Sequence, residues 1–343
     1  MRTTVLTRLI ALNVLGTAAF CLQATPADAA KPEFVMKVGT VAPDGTPWAK
    51  SVKVLKKRIQ KESGGRIKVK IFWSGALGGE KSLVRKTARG QIQAIGVSTG
   101  AVATMIPELG VIELPYLFDT LKEADHVLDN PALFDAISKV MADKGFILHL
   151  WAENGFRNFA TKEKAILSPK DMVGLKMRSQ EQYTHTAWYR ALGASPVQIP
   201  VPEVMQSLQT GVVDGYDNTL LYAFAVSWYQ PVKHVTITRH IYQPAVIAYS
   251  KKWFDTLPKD LQDILMANRA ADTASGRKGV RALTPLLEKN YVKAKKTIHR
   301  LTPAQLAEFQ KLAPAVHTDF LKKVPAAKPL YKLIQDGKAS FKK

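Results

Sequence analysis

Cysteine is almost missing from this 343-residue chain, which holds only Cys21. One thiol cannot close an intramolecular disulfide, and zinc ribbons and iron–sulfur centres need several. The fold must therefore rest on its apolar core, and the length is ample for two domains of ordinary size. No HExxH pair, EF-hand loop or Walker lysine-hydroxyl pair occurs, so no metal or cofactor is expected. Long apolar runs are missing too. The longest, residues 9–20, falls short of the ~20 residues that span a bilayer. Arg2 and Arg8 precede it and Ala27-Asp28-Ala29 follows it, which is the layout of an export signal. Residues 1–29 are thus expected to be removed, leaving an exported protein that begins near Ala30. A lipoprotein signal has a small residue before its cysteine, and Phe20 stands there instead.

Acidic residues are scarce. Asp and Glu number 28 against 49 Lys and Arg, a formal net charge of +21, or +20 without Arg2, Arg8 and Asp28. Such a surplus could draw nucleic acid, anionic lipid or acidic solutes. The lysines are scattered rather than gathered, and neither zinc-finger spacing nor an aromatic RNP pattern is found, so no nucleic-acid partner is expected.

What is present alternates between strand and helix. Residues 34–38 read as a strand. Thr46 and Pro47 then open a helix whose Trp48, Val52, Leu55 and Ile59 fall on one face. Gly64-Gly65 ends it, and Ile67, Val69, Ile71 and Trp73 alternate with polar residues as in a half-buried strand. Further strands are expected at 92–98, 146–151 and 175–178, with an extended run at 109–118. Helices are expected at 80–89, 121–144, 182–192 and 202–210. An apolar run at 235–249 returns to the first unit, and a long helix over 259–298 is kinked at Pro285. The lysine-rich end from 338 is expected to fray. Strands separated by helices of this length predict an α/β fold with parallel βαβ units.

Residues 168–218 carry the most chemistry. Arg178 leaves a strand after Gly174-Leu175-Lys176-Met177, and about forty residues on comes a polar turn, Asp214-Gly215-Tyr216-Asp217-Asn218. Arginine presents a planar fork of donors that suits a carboxylate, and an asparagine nearby can complete such a site. That combination points to capturing a small acid rather than transforming it.

Six blocks in order extend the pattern along the chain: 72–100, ELPYLFD (113–119), WAENGFRNF (151–159), GLKMRSQ (174–180), 192–218 and LPKDLQDIL (257–265). Together they resemble the extracytoplasmic solute-binding P components of TRAP transporters, the C4-dicarboxylate-binding type. The resemblance implies a two-domain periplasmic solute-binding fold, with mainly parallel sheets, crossing segments and a long kinked hinge helix. Residues 30–154 plus 243–283 would form one domain, and 155–242 plus 284–343 the other. It implies a monomeric receptor that closes on an organic acid and delivers it to membrane permease subunits. Arg178 would pair two-pronged with the ligand carboxylate, Arg157 would add a contact, and Asn218 would complete the site. The family's usual Gln-Glu-Asn-Pro turn reads Tyr216-Asp217-Asn218-Thr219 here. Sialic-acid binders carry a glutamate at the place of Ser98 and an aromatic at that of Val201, so a sialic-acid pocket is not expected. Dicarboxylates, keto acids, aromatic acids and sugar acids all remain open.

Each assignment has a plainer reading. Arg178 could pair with a structural carboxylate, Arg157 could brace the hinge, and Asn218 could bond its own turn. Tyr216 could line the cleft or simply fill the core. Gly96-Val97-Ser98-Thr99-Gly100 matches the nucleophile elbow of a serine hydrolase, but no histidine stands as an evident partner. Ser98 and Thr99 are instead expected to hydrogen-bond the solute, and the protein is not expected to be an enzyme. An exported hydrolase using Ser98 and an exported polyanion binder are the competing readings.

Overall fold

The computed structural model describes residues 31–341. The expected export signal and Cys21 lie outside them. Nine strands are present: β1 (Phe34–Thr40), β2 (Ile67–Phe72), β3 (Ala94–Ser98), β4 (Phe146–Thr161), β5 (Lys176–Ser179), β6 (Ser195–Gln198), β7 (Gly215–Asn218), β8 (His234–Ser250) and β9 (Thr297–Arg300). They form one mixed sheet in the order β2-β1-β3-β8-β4-β7-β5-β6, with β9 also on β8. At one end β1 pairs in parallel with β2 and β3, and at the other β5 pairs in parallel with β6 and β7. The long antiparallel pair β4 and β8 runs through the middle and joins both ends.

The ends are built as their sequences dictate. Thr46 caps the helix Pro47–Glu62 by accepting from Ala49 N at 3.3 Å, and Pro47 loses nothing at a position whose N–H has no helical acceptor. Val52, Leu55 and Ile59 bury against Ile67, Val69 and Leu261. A second core packs Phe159, Met172, Met177, Trp188 and Phe309 at the other end. The largest cluster, with Val97, Leu109, Trp151, Tyr216, Trp228 and Phe320, spans both.

The register of β4 against β8 breaks between Leu148 and Leu150, Glu153 and Gly155, and Arg157 and Phe159. Such irregularities bend a strand and re-aim its side chains. Gly155 takes the left-handed φ of +108° at the middle break. The Asn154-Gly155 pair bends the strand without ending it, so the strand expected at 146–151 continues to Thr161.

Other differences have local causes. The helix expected at 121–144 is two, Leu121–Leu128 and Pro131–Asp143, because Asn130 caps a fresh start at Pro131. The run 109–118 is not extended; it holds a 3₁₀ turn, Pro107–Glu113. The long kinked helix is three, Lys259–Met266, Arg269–Arg281 and Thr284–Lys293, broken where Asn268 takes φ 61° and where Pro285 enters the third helix's first turn. Its expected tail at 297–298 is strand β9. The expected polar turn at 214–218 is the central strand β7. Its polar side chains can be buried there because partners satisfy them. The lysine-rich end does not fray before Phe341: Lys328–Phe341 is helical, with Lys338 3.5 Å from Glu123.

Gly215 shows how tightly β7 is held between its neighbours. A Cβ on it would lie 2.3 Å from the Ala160 carbonyl oxygen and 2.9 Å from Thr161 Cγ2. Overpacking of this kind costs about 1–3 kcal/mol, and a backbone clash leaves little room to relax. Gly215→Ala is expected to lose at least that much in urea unfolding, and a loss below 0.5 kcal/mol, the scatter of a neutral surface change, would show β7 to be less confined.

Candidate functional site

Strand alternation places Arg178. On β5, Met177 packs into the core while Arg178 points from the opposite face into a cavity of about 660 Å3. The residue is only 2% exposed. Its Nε donates to Ile199 O at 3.0 Å, and its guanidinium carbon lies 5.1 Å from the Trp228 ring centre. No carboxylate among the described residues comes within ion-pair distance of it. Burial, and then the charge of Arg157, push its pKa down to about 10. A buried cation left without a counter-ion is strongly disfavoured, so the site would gain by accepting an anion.

Arg157 is buried too, but its fork is occupied. Nε meets Asp217 Oδ2 at 2.5 Å, Nη2 donates to Asp217 O at 2.5 Å, and Nη1 donates to Gln243 Oε1 at 2.7 Å. Asp217 also accepts from Tyr189 Oη at 2.8 Å and contacts His240 Nε2 at 3.3 Å. Burial favours the protonated acid, but Arg157 and these bonds hold the Asp217 carboxyl well below its ordinary range. Arg157 therefore edges the cavity with its charge already neutralised. Asn218 also lines the cavity; its Oδ1 accepts from Thr219 N at 2.8 Å and lies 3.5 Å from Arg157 Nη1.

Ser98 and Glu80 form the facing wall. Ser98 caps the short helix Thr99–Ala103, accepting from Ala101 N at 3.2 Å. Ser98 N and Oγ donate to Glu80 at 2.7 and 3.1 Å, and Gln180 Nε2 donates to Ser98 Oγ at 2.6 Å. With those partners and no histidine among them, Ser98 is not arranged as a nucleophile. Two of the expected contact residues stand away from the cavity wall. Thr99 does not line the cavity, because its hydroxyl is engaged by the buried Glu113 carboxylate and the Pro244 carbonyl. Tyr216 does not line it either, since its ring packs edge-on against Trp228, 5.4 Å between centres.

Sequence reasoning missed Glu80, Gln180 and Trp48. Gln180 stands two residues beyond Arg178, the spacing that puts both on one face of an extended chain. Glu80 begins a helix directly after Gly78-Gly79, where no motif sets it apart from a surface acid. Trp48 was read as part of a core-facing stripe.

Both ends of the sheet meet across the cavity. Gln243 Nε2 donates to Gln180 Oε1 at 2.7 Å and to Glu113 Oε2 at 2.7 Å, and Tyr222 Oη donates to Val41 O at 3.1 Å. Glycine makes closer approach possible: a Cβ at Gly79 would lie 3.3 Å from the Pro200 ring, and one at Gly75 would lie 3.3 Å from Pro202.

A cavity between the two ends of a sheet, crossed by two long strands and holding an unneutralised buried arginine, is the design of a solute receptor. Residues 38–323 match the family described as bacterial extracellular solute-binding protein, family 7 (DctP), and the chain belongs to that family, which consists of receptors rather than enzymes. It is 28% identical to the C4-dicarboxylate-binding periplasmic protein DctP of Rhodobacter capsulatus over 94% of this chain and 96% of that one. A solute-binding protein of Verminephrobacter eiseniae is 33% identical over 66% and 67% of the two chains. Among solved structures, a TRAP periplasmic solute-binding protein of Sulfurospirillum deleyianum with bound succinate superposes with a TM-score of 0.82 at 26% identity, covering 89% of this chain and 99% of that one. The galactonate complex of a sugar acid binding protein from Advenella mimigardefordensis gives 0.83 at 28%, covering 88% and 98%. The α/β fold expected from the sequence is thus the observed one. No helix among the described residues is long and apolar enough to cross a membrane.

The Arg157–Asp217 pair sets a pH dependence. Asp217 is more acidic in the fold than its ordinary 3.8. Its contribution is therefore complete above that value and is lost as pH falls toward the depressed one. Removing one member of a buried pair costs about 3–5 kcal/mol. Asp217→Asn should lose that much at pH 7 in urea unfolding, and its stability should fall less than wild type's between pH 5 and 2.

Proposed function

We propose that this protein is the extracytoplasmic receptor of a TRAP-type transporter, binding one organic carboxylate at Arg178 and delivering the closed complex to a membrane permease. The observation that carries this reading is the state of Arg178: buried, unpaired with any described carboxylate, and facing a cavity large enough for a small solute. A ligand carboxylate would supply the missing counter-charge through a two-pronged pair, strong because water is excluded. Asn218 would complete the contact. Arg157, tied to Asp217, would place Asn218 and keep a second positive field beside the ligand. Ser98 would face the ligand through Glu80 and Gln180.

The two jaws would be residues 30–154 with 243–283 and residues 155–242 with 284–343, bending where β4 and β8 lose register. Ligand contacts made by both jaws would shift the population toward the closed form. The receptor would work as a monomer in the periplasm, after export through its N-terminal segment. Succinate and galactonate are found in relatives' structures, which makes both natural first probes.

Titration calorimetry on purified protein against a panel of organic acids tests the assignment. At least one acid should bind, and Arg178→Ala should weaken it by about 2–5 kcal/mol, a hundredfold or so. Arg178→Lys should fall between, since it keeps the charge but loses the fork. Affinity unchanged in Arg178→Ala would overturn the reading.

A further inference from the structure

Resting on the assignment of Arg178 to a ligand carboxylate, we propose that the acid this receptor takes is a monocarboxylate with an apolar body, rather than a dicarboxylate or a polyhydroxylated acid. The first reason is charge. Of the two arginines at the cavity, Arg157 is neutralised by Asp217 at 2.5 Å, which leaves Arg178 to meet one anionic group. The carboxylate of Glu80 lies in the same wall and its field reaches Arg178. One ligand carboxylate can pair with Arg178, whereas a second close by would crowd the buried Glu80 carboxyl with no buried cation of its own. Lys50 and Lys278 also edge the cavity, but both are exposed, and water screens such pairs to little net value.

The second reason is hydrogen-bond capacity. Many of the cavity's inner polar side chains already have partners within the protein. Asn154 Nδ2 donates to Gln243 Oε1 at 2.6 Å, and its Oδ1 accepts from Thr219 Oγ1 at 3.3 Å. Gln180 donates to Ser98 and accepts from Gln243. Tyr222 donates to Val41 O, and Glu153 accepts from Arg281 at 2.9 Å and Tyr242 at 3.1 Å. A polyol chain would have to break these pairs or bury its own hydroxyls unpaired, and both are unfavourable.

The third reason is the rest of the wall. Val41, Trp48, Val97, Val201, Tyr222 and Leu283 give it a mostly apolar lining, with the Trp48 and Tyr222 rings 5.8 Å apart. The cavity continues past Gly96 and Gly276 between the helices Pro47–Glu62 and Arg269–Arg281, where it reaches the exposed Val54 and Lys278. A space of about 660 Å3 lies within the ~300–1,000 Å3 range of pockets that enclose molecules much larger than a four-carbon acid. An alkyl or aryl group extending from the carboxylate would fill it, and its burial would add affinity without new polar contacts.

The test compares 4-phenylbutanoate, succinate and galactonate by titration calorimetry at several temperatures. The phenyl acid should bind tightest, with the negative heat-capacity change of apolar burial, and Arg178→Ala should weaken it about a hundredfold. In Glu80→Gln the preference for the phenyl acid over succinate should narrow at least fivefold; an unaltered ratio would remove Glu80 from the argument. Succinate or galactonate binding as tightly as the phenyl acid or tighter, and depending on Arg178, would overturn the proposed ligand class while leaving the receptor assignment standing. If none of the three binds, the proposed ligand class fails, and the wider panel of organic acids decides the receptor assignment separately.

Discussion

Two guanidinium groups lie buried close enough for each to feel the other's charge, and the protein neutralises one of them. Asp217 holds Arg157 through its carboxylate and its backbone oxygen, while Arg178 keeps one bond to a carbonyl and a ring face beneath it. The asymmetry gives the cavity its sign. An arginine with its own carboxylate would leave a salt-linked core, and two unpaired ones would be costly to fold around. One of each leaves a stable frame with a single positive demand at its centre.

The fold holds both arginines in place. β5 and β7 are four residues each, too short to stand alone. They are fixed by parallel pairing and by the long strands β4 and β8, which supply Arg157, Asn154 and Gln243 from the middle of the sheet. The buried Glu113 carboxylate then ties the walls together: Thr99, His185 and Gln243 all bond to it. Burial would favour its protonated form, but the His185 bond and these donors keep it more acidic than usual.

Much of this was visible in the sequence, and the rest was hidden for identifiable reasons. The helix 47–62 and strand 67–72 were legible because capping residues and periodicity agreed. Arg178 drew attention through its Gly-Leu-Lys-Met lead-in and the ordered blocks around it, since on its own it could equally have paired with a structural carboxylate. β7 was not, since Gly-Tyr-Asp-Asn has the composition of a turn, and only the partners across the sheet, distant in sequence, make it a strand. Arg157's role was hidden for the same reason: that Asp217 would occupy its fork depends on the pairing of β4 with β7. Glu80 and Thr99 show the limit of motif reading. The segment 96–100 drew attention to its hydroxyls, whereas the structure uses them to hold carboxylates in place.

The breaks in register along β4 have a mechanical consequence. If the two ends of the sheet swing apart to admit a solute, the chain must flex where the ladder is interrupted, at Glu153, Gly155 and Arg157. Atoms on a pivot barely travel, while those far from it travel most. The Arg157–Asp217 clasp sits beside that break and would survive such a swing, whereas the link from Gln180 to Ser98 would be parted by it. An opening about that line would leave the most expensive pair of charges shielded from water.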